Sequence, residues 1–373
     1  MPLVVAVLHF RMRKGQILKI RQDYVKDARY FGKSFSALVE KALPEMKNGT
    51  IMLSRQEKVL EADGNQEFAQ PDIEDLVIAR NTVFCPQRSD LHFQKEIYSE
   101  KDALFVKENI RIRAVYSKKR LLFGNKIRLL RWADAEHAVA VYDECDLGER
   151  VSSGEQLVIG FDNVFHSLYA PVIRLGQRPE EPDRFMEERD PRIFRMPVMN
   201  SHEYNRHYID DDMVTESGTV PYTIISRGDI KVIEDIILQG DIHSDGAVRI
   251  MENASVLGNV FAENDILLEK NVTVLGDIFT QGNIIFEEGA SAGQPGKITS
   301  VVARGTITFY GGNYVYGYVV SEGGGKILKS DREVLGEYCF PSEPVHEEKI
   351  TFRDLSEYEN VSFQGFRGDI YVK

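Results

Sequence analysis

The apolar positions of this chain recur in one short phrase. An anchor residue is followed at +6 and +8 by further apolar residues, and most anchors lie 18 residues apart. In the second half Ile224, Ile242, Val260 and Ile278 are each 18 residues from the next. In the first half Ile97, Val115, Trp132, Val151 and Tyr169 follow at steps of 18, 17, 19 and 18. Ile298 and Val319 close the series with steps of 20 and 21. The alternation in Val260, Ile266 and Leu268 is that of a strand with one buried face. A third apolar pair follows, as in Val272 and Val274. A small or turn-prone residue usually sits two places after the anchor, as at Ser99, Ser117, Ser153, Ser226, Ser244 and Thr280. Each period therefore holds three short strands.

A fixed period of this kind means stacked coils that share a core no single coil could bury. The pattern predicts an all-β fold, a parallel triangular β-helix with 18-residue coils. Asn109, Asn163, Asn253, Asn271, Gly246 and Gly282 fall near the corners, where positive φ is often needed. Eleven coils at strand spacing predict a rod roughly 50 Å long.

The period does not cover the whole chain. Residues 1–18 are apolar, then basic, and 19–76 read as a helix followed by strands. The first part of the β-helix spans 77–176, and 177–221 is an acidic insertion carrying Pro179, Pro182, Pro191 and Pro197. The second part spans 222–330, and 331–373 reads as a C-terminal cap folded over the final coil. The helix is predicted over 20–43, where Tyr24, Ala28, Phe31, Phe35, Leu38 and Ala42 recur at three- and four-residue steps. Pro44 and Asn48-Gly49 end it.

The N-terminal run holds Leu3, Val4, Val5, Val7 and Leu8, ahead of Arg11, Arg13 and Lys14. It is too short to span a bilayer and lacks the order of a secretory signal. Two destinations remain open. One is a buried strand, and the other is a membrane contact with the basic cluster on the cytoplasmic side.

Charge narrows the classes. The chain has 46 basic and 58 acidic residues, a net charge of −12. That argues against sequence-blind nucleic-acid binding. Cys85, Cys145 and Cys339 are far apart and odd in number, which suits a reducing, cytoplasmic compartment without disulfides.

No candidate chemistry outweighs a structural reading. His202 and His207 are five apart, so they share no helical face as a zinc-protease motif requires. Asp210, Asp211 and Asp212 lack the alternating ligands of a calcium loop. Gly323-Gly324-Gly325-Lys326 precedes Ile327-Leu328 and reads as a coil corner rather than a phosphate loop. Arg111, Arg113, Lys126 and Arg128 could stack into a basic stripe, with a solvated face as the preferred reading. His137, His166 and His243 read as wall residues. Catalytic, metal and cofactor sites are therefore expected to be none.

Gly240-Asp241-Ile242, Gly258-Asn259-Val260 and Gly276-Asp277-Ile278 open successive coils. In this the chain resembles the bactofilins, polymer-forming cytoskeletal proteins of bacteria. The likeness is best over 222–330 and extends to 97–176, about half the chain. It implies a right-handed triangular β-helix and nucleotide-independent end-to-end polymerisation. It also implies a scaffold role in cell shape or envelope synthesis at the inner membrane. The partners it implies are copies of the same chain, the inner-membrane surface and cell-envelope proteins. Short apolar membrane-targeting N-termini also occur in the family. The helical module, the insertion and the structured tail depart from its simple uninterrupted rod. If they cap both ends, the protein is a monomeric or dimeric scaffold. Two rival readings stand beside it. One is a hexapeptide-repeat acyltransferase using His202 or His207. The other is a carbohydrate- or envelope-binding module using Tyr310, Tyr314, Tyr316 and Tyr318 with the insertion.

Overall fold

A computed structural model describes residues 27–66, 68, 70–84, 90–179, 219–220 and 223–329, with the strand Ile370–Val372. These residues form a parallel β-solenoid of about 12 turns and one helix, α1 (Tyr30–Ala42). The solenoid comes in two parts, here the N-solenoid and the C-solenoid, each with three walls. Inward residues stack in register from coil to coil. On wall A of the N-solenoid these are Ile97, Val115, Ala133, Val151 and Leu168. On wall A of the C-solenoid they are Ile224, Ile242, Val260, Ile278, Val301 and Val319. Wall B stacks Leu121, Val139, Leu157 and Ile173 in one part, and Ile230, Val248, Ile266, Ile284 and Ile307 in the other. Wall C carries Leu238, Val256, Val274, Ala292 and Val315 in the C-solenoid. Both parts contribute to a single buried core.

Three anchors shift under this register. Ala133, not Trp132, lies between Val115 and Val151, because a bulge at the start of the strand Arg128–Ala135 adds one residue. Leu168, not Tyr169, pairs with Val151. A one-residue slip turns a side chain to the opposite face. Trp132 and Tyr169 accordingly point outward. Val301, not Ile298, pairs with Ile278, and Ile298 is 47% exposed. The extra corner at Gly293–Gly296 lengthens that coil. The solenoid also begins earlier than residue 77, since Val59–Ala62 already pairs in parallel with Leu76–Ala79.

Repeated polar devices hold the corners. Asn109, Asp235, Asn253 and Asn271 adopt positive φ between 59° and 62°. Gly246 and Gly282 do not, and serve close approach, since a Cβ on either would overlap the Asp229 or Asp265 side chain one coil earlier. Asn163 is buried and closes a corner, accepting from Cys145 N at 2.7 Å and donating to Tyr142 O at 2.8 Å. Asp241 Oδ1 accepts from Asn259 N at 2.7 Å, and Asn259 Oδ1 accepts from Asp277 N at 2.9 Å. The buried hydroxyl two places after the anchor donates to a corner carbonyl of the neighbouring coil. Ser153 reaches His137 O, Ser244 reaches Gly228 O and Ser321 reaches Gly305 O. Each such bond satisfies a buried polar group that the corner would otherwise strand.

The chain direction reverses at the middle of the rod. The last N-solenoid strand, Asn163–Leu175, pairs antiparallel with the last C-solenoid strand, Asn313–Ile327, from Asn163↔Ile327 to Leu175↔Asn313. The C-terminal ends of the two solenoids are thus mated within one chain. The final strand, Ile370–Val372, runs parallel to Ile230–Val232 at the far end of the C-solenoid. The described end of the tail therefore lies on the first coil of the C-solenoid, and the edge of the final coil is occupied by Asn163–Leu175. Leu3, Val4, Val5, Val7 and Leu8 lie outside the described residues, as do most of 177–221 and 331–373.

Candidate functional site

Rod-shaped repeat proteins act through their ends and faces, so these are the candidate sites. The central junction is the most elaborated. An aromatic column runs through it, with Phe286 and Phe309 rings 4.6 Å apart and Phe309 and Phe165 6.3 Å apart across the boundary. Glycines permit the approach. A Cβ on Gly325 would overlap the Phe165 ring, and one on Gly176 would overlap Gly311. Gly176 and Gly311 also adopt positive φ, 67° and 84°. On the outside of wall A, Tyr169 and Tyr318 pack with ring centroids 4.5 Å apart.

Helix α1 covers the outer face of wall A over the N-solenoid. Gly32, Ser36 and Val39 form its buried stripe, while Phe31 and Leu38 point away. Phe35 and Ala42 of the predicted face pack inward, but the stripe is rotated away from Phe31 and Leu38, because small residues let the helix lie close on a sheet of large side chains. A Cβ on Gly32 would overlap the Asp134 carboxylate. Phe35 packs edge-on to Tyr98 and Trp132. Arg29 grips the buried Asp134 in a bidentate pair, with bonds of 2.8 and 3.0 Å, and Ser152 donates to the same carboxylate at 2.7 Å. Burial raises the Asp134 carboxyl above its ordinary range, against the opposing pull of Arg29 and Ser152. At the far end Lys118 pairs with Glu40 at 2.8 Å and holds that carboxyl below its usual range. The helix start lies at the junction, where Arg150 Nη1 donates to Ala28 O at 3.3 Å and Ala28 sits beside the Tyr318 hydroxyl.

The remaining polar surface is largely matched within itself. Arg111 and Arg128 are neighbours on one ladder, but Arg128 faces Asp146 at 3.3 Å, Arg113 faces Glu96 at 3.1 Å and Lys126 faces Glu108 at 3.3 Å. The stripe is a set of surface pairs rather than a basic groove. Burial, with Glu269 nearby, raises the Glu287 carboxyl. Cys145 is buried and its thiol is pushed up to about 12 by burial. Its Sγ donates to Gly124 O at 3.1 Å, so it acts as an interior staple.

Tyr310, Tyr314 and Tyr316 are 3%, 1% and 1% exposed, so they build the last coil and present no aromatic binding face. Tyr318 is half-buried against Tyr169. Gly323–Gly325 belongs to the junction strand, with only Gly324 at positive φ. His202 and His207 lie outside the described residues, as does Asp210–Asp212. Among the described residues no group of three or more His, Cys, Asp or Glu could hold a metal ion. No helix among them is long and apolar enough to cross a membrane. The junction contacts Phe165–Gly325 and Gly176–Gly311 have no counterpart in the sequence reading. Their one trace was the glycine density at 311–312 and 323–325.

Comparison with protein-family models, with curated proteins and with solved structures finds no match in any of the three. Fold and surfaces together define the class, a β-solenoid repeat protein built as two end-mated halves.

Proposed function

We propose that this chain is a non-enzymatic scaffold of the bactofilin type, a cytoplasmic rod supporting cell shape or envelope synthesis at the inner membrane. The observation that carries the reading is the inequality of the coil ends. Both C-terminal ends are consumed in the antiparallel junction. At the outer end of the C-solenoid, Thr219–Val220 and Ile224–Ser226 pair on one side only among the described strands. An unpaired strand edge is a template for another chain. Self-association therefore runs through the outer ends, at the C-solenoid by the wall A and wall C edges that Ile370–Val372 leaves open, with the mated double solenoid as the repeating unit. A contact that does not close extends into a string of rods. Cell-envelope proteins would bind along the walls, as solenoid partners do.

The test is electron microscopy of the purified full-length chain without nucleotide. End-to-end strings of short rods are expected. Discrete monomers alone at high concentration would overturn self-association.

A further inference from the structure

Wall A is continuous across the junction, but among the described residues only the N-solenoid half of it is covered. Its outward residues form a ladder, Ile225, His243, Phe261, Phe279, Val302 and Val320, in register over the C-solenoid. The ladder meets Ser167 of the N-solenoid and continues, through the junction, into the surface that α1 covers. Ile225 is 58% exposed and Phe279 38%. The rings of His243, Phe261 and Phe279 follow one another at 5.8 and 6.4 Å. Among the described residues, nothing covers this stripe. A contiguous exposed apolar stripe on a rod wall marks a contact surface.

The structure points to its occupant. We propose that residues 1–26 of the same chain lie along this ladder, extending over the C-solenoid the cover that α1 supplies over the N-solenoid. Where the chain leaves the described region decides among its segments. Arg178 is held by Asp143 at 2.9 Å, and Lys329 sits 5.8 Å over the Phe161 ring. Both therefore depart from the corner between walls B and C, opposite wall A. They re-enter on those same two walls, at Thr219–Val220 beside Ile237–Leu238 and at Ile370–Val372 beside Ile230–Val232. The segment before Asp27 alone leaves from wall A. It does so beside Arg150 and Tyr318, where the uncovered half begins.

Length and charge agree. Five coil steps make the ladder about 24 Å long, and 26 residues reach that distance as helix or strand. The segment is apolar at Leu3–Leu8, Ile17, Leu18, Ile20, Tyr24 and Val25, and carries six basic residues against the single Asp23. The ladder is flanked by Asp241, Asp277, Asp245, Glu263 and Glu322, against Arg227 and Arg304. The apolar N-terminus then serves the rod rather than the bilayer, and recruitment to the membrane falls to protein partners. Failure of this docking leaves the scaffold reading intact, since end-to-end assembly uses other strands.

The test replaces Phe279 of the full chain with the photo-crosslinker p-benzoylphenylalanine, and Val302 in a second variant. Light and heavy-isotope protein are mixed with vesicles of phosphatidylglycerol and phosphatidylethanolamine. Crosslinked peptides joining position 279 or 302 to residues 1–26 of the same isotope are expected from either variant. Mixed-isotope peptides would assign the ladder to a second copy and overturn the proposal. Crosslinks to lipid, or none to residues 1–26 from either position, would overturn it equally.

Discussion

Gly325 in the C-solenoid packs against the far end of the Phe165 ring in the N-solenoid, leaving no room for a Cβ. The contact sits at the centre of the rod, where two solenoids running in opposite directions share an antiparallel strand pair. It makes the junction testable. Gly325→Ala forces a methyl group into a filled site, and such overpacking costs about 1–3 kcal/mol. Thermal melting should fall accordingly. Phe165→Ala in the same chain should recover part of the loss, because coupled neighbours are not additive. An unchanged melt for Gly325→Ala would mean the two ends do not meet this closely.

Helix α1 is expected to depend on one ion pair. Asp134→Ala leaves the Arg29 guanidinium, only 13% exposed, without its carboxylate. Breaking a buried pair this way costs about 3 kcal/mol or more. Replacing both Arg29 and Asp134 by Leu should cost less than Asp134→Ala alone. Urea denaturation measures both, and faster proteolysis within 30–42 should accompany the single variant.

Cys145 supplies a pH dependence. Its folded thiol titrates near 12, above the value of an unfolded cysteine. Below about pH 8 neither state is appreciably ionised and the thiol's contribution is fully present. Between about pH 9 and 12 the unfolded chain loses a proton that the folded chain keeps. Stability should therefore fall by up to about 1.4 kcal/mol per pH unit from this group. Cys145→Ala should flatten that part of the slope, measured by denaturation at a series of alkaline pH values. In the native protein the Cys145 peptide should also resist alkylation at pH 8, followed by mass spectrometry.

Val260 and Phe261 are adjacent and face opposite ways. Val260 is wholly buried in the core, and Phe261 belongs to the outer ladder. Val260→Asp buries a charge with no partner and should abolish folding of the C-solenoid. Phe261→Asp should leave the circular-dichroism melt within a few degrees of the parent. Equal melts for the two variants would contradict the inward and outward assignment.

The helix shows how local pattern and packing divide the work. Its existence and part of its buried face, Phe35 and Ala42, were legible in the three- and four-residue recurrence, but not the turn of that face away from Phe31 and Leu38. That face depends on which residues are small enough to pass Asp134 and Tyr98, and those lie far away in sequence. Trp132 illustrates the same limit. An aromatic residue at the expected spacing looked inward-facing, and a single-residue bulge turned it outward beneath Phe35.

The sequence by itself determined that this chain coils. An 18-residue apolar period has only one economical way to bury its side chains, which is to stack copies of the same coil. The tertiary structure alone decided how the two sets of coils meet. Pairing two strand edges antiparallel rather than parallel leaves no periodic signature, because both satisfy the same backbone groups. The choice is made by contacts such as Gly325 on Phe165 and Tyr169 on Tyr318, between residues about 150 positions apart that nothing local connects. That choice closes both C-terminal ends, leaving the outer ends as the edges through which the rod can extend.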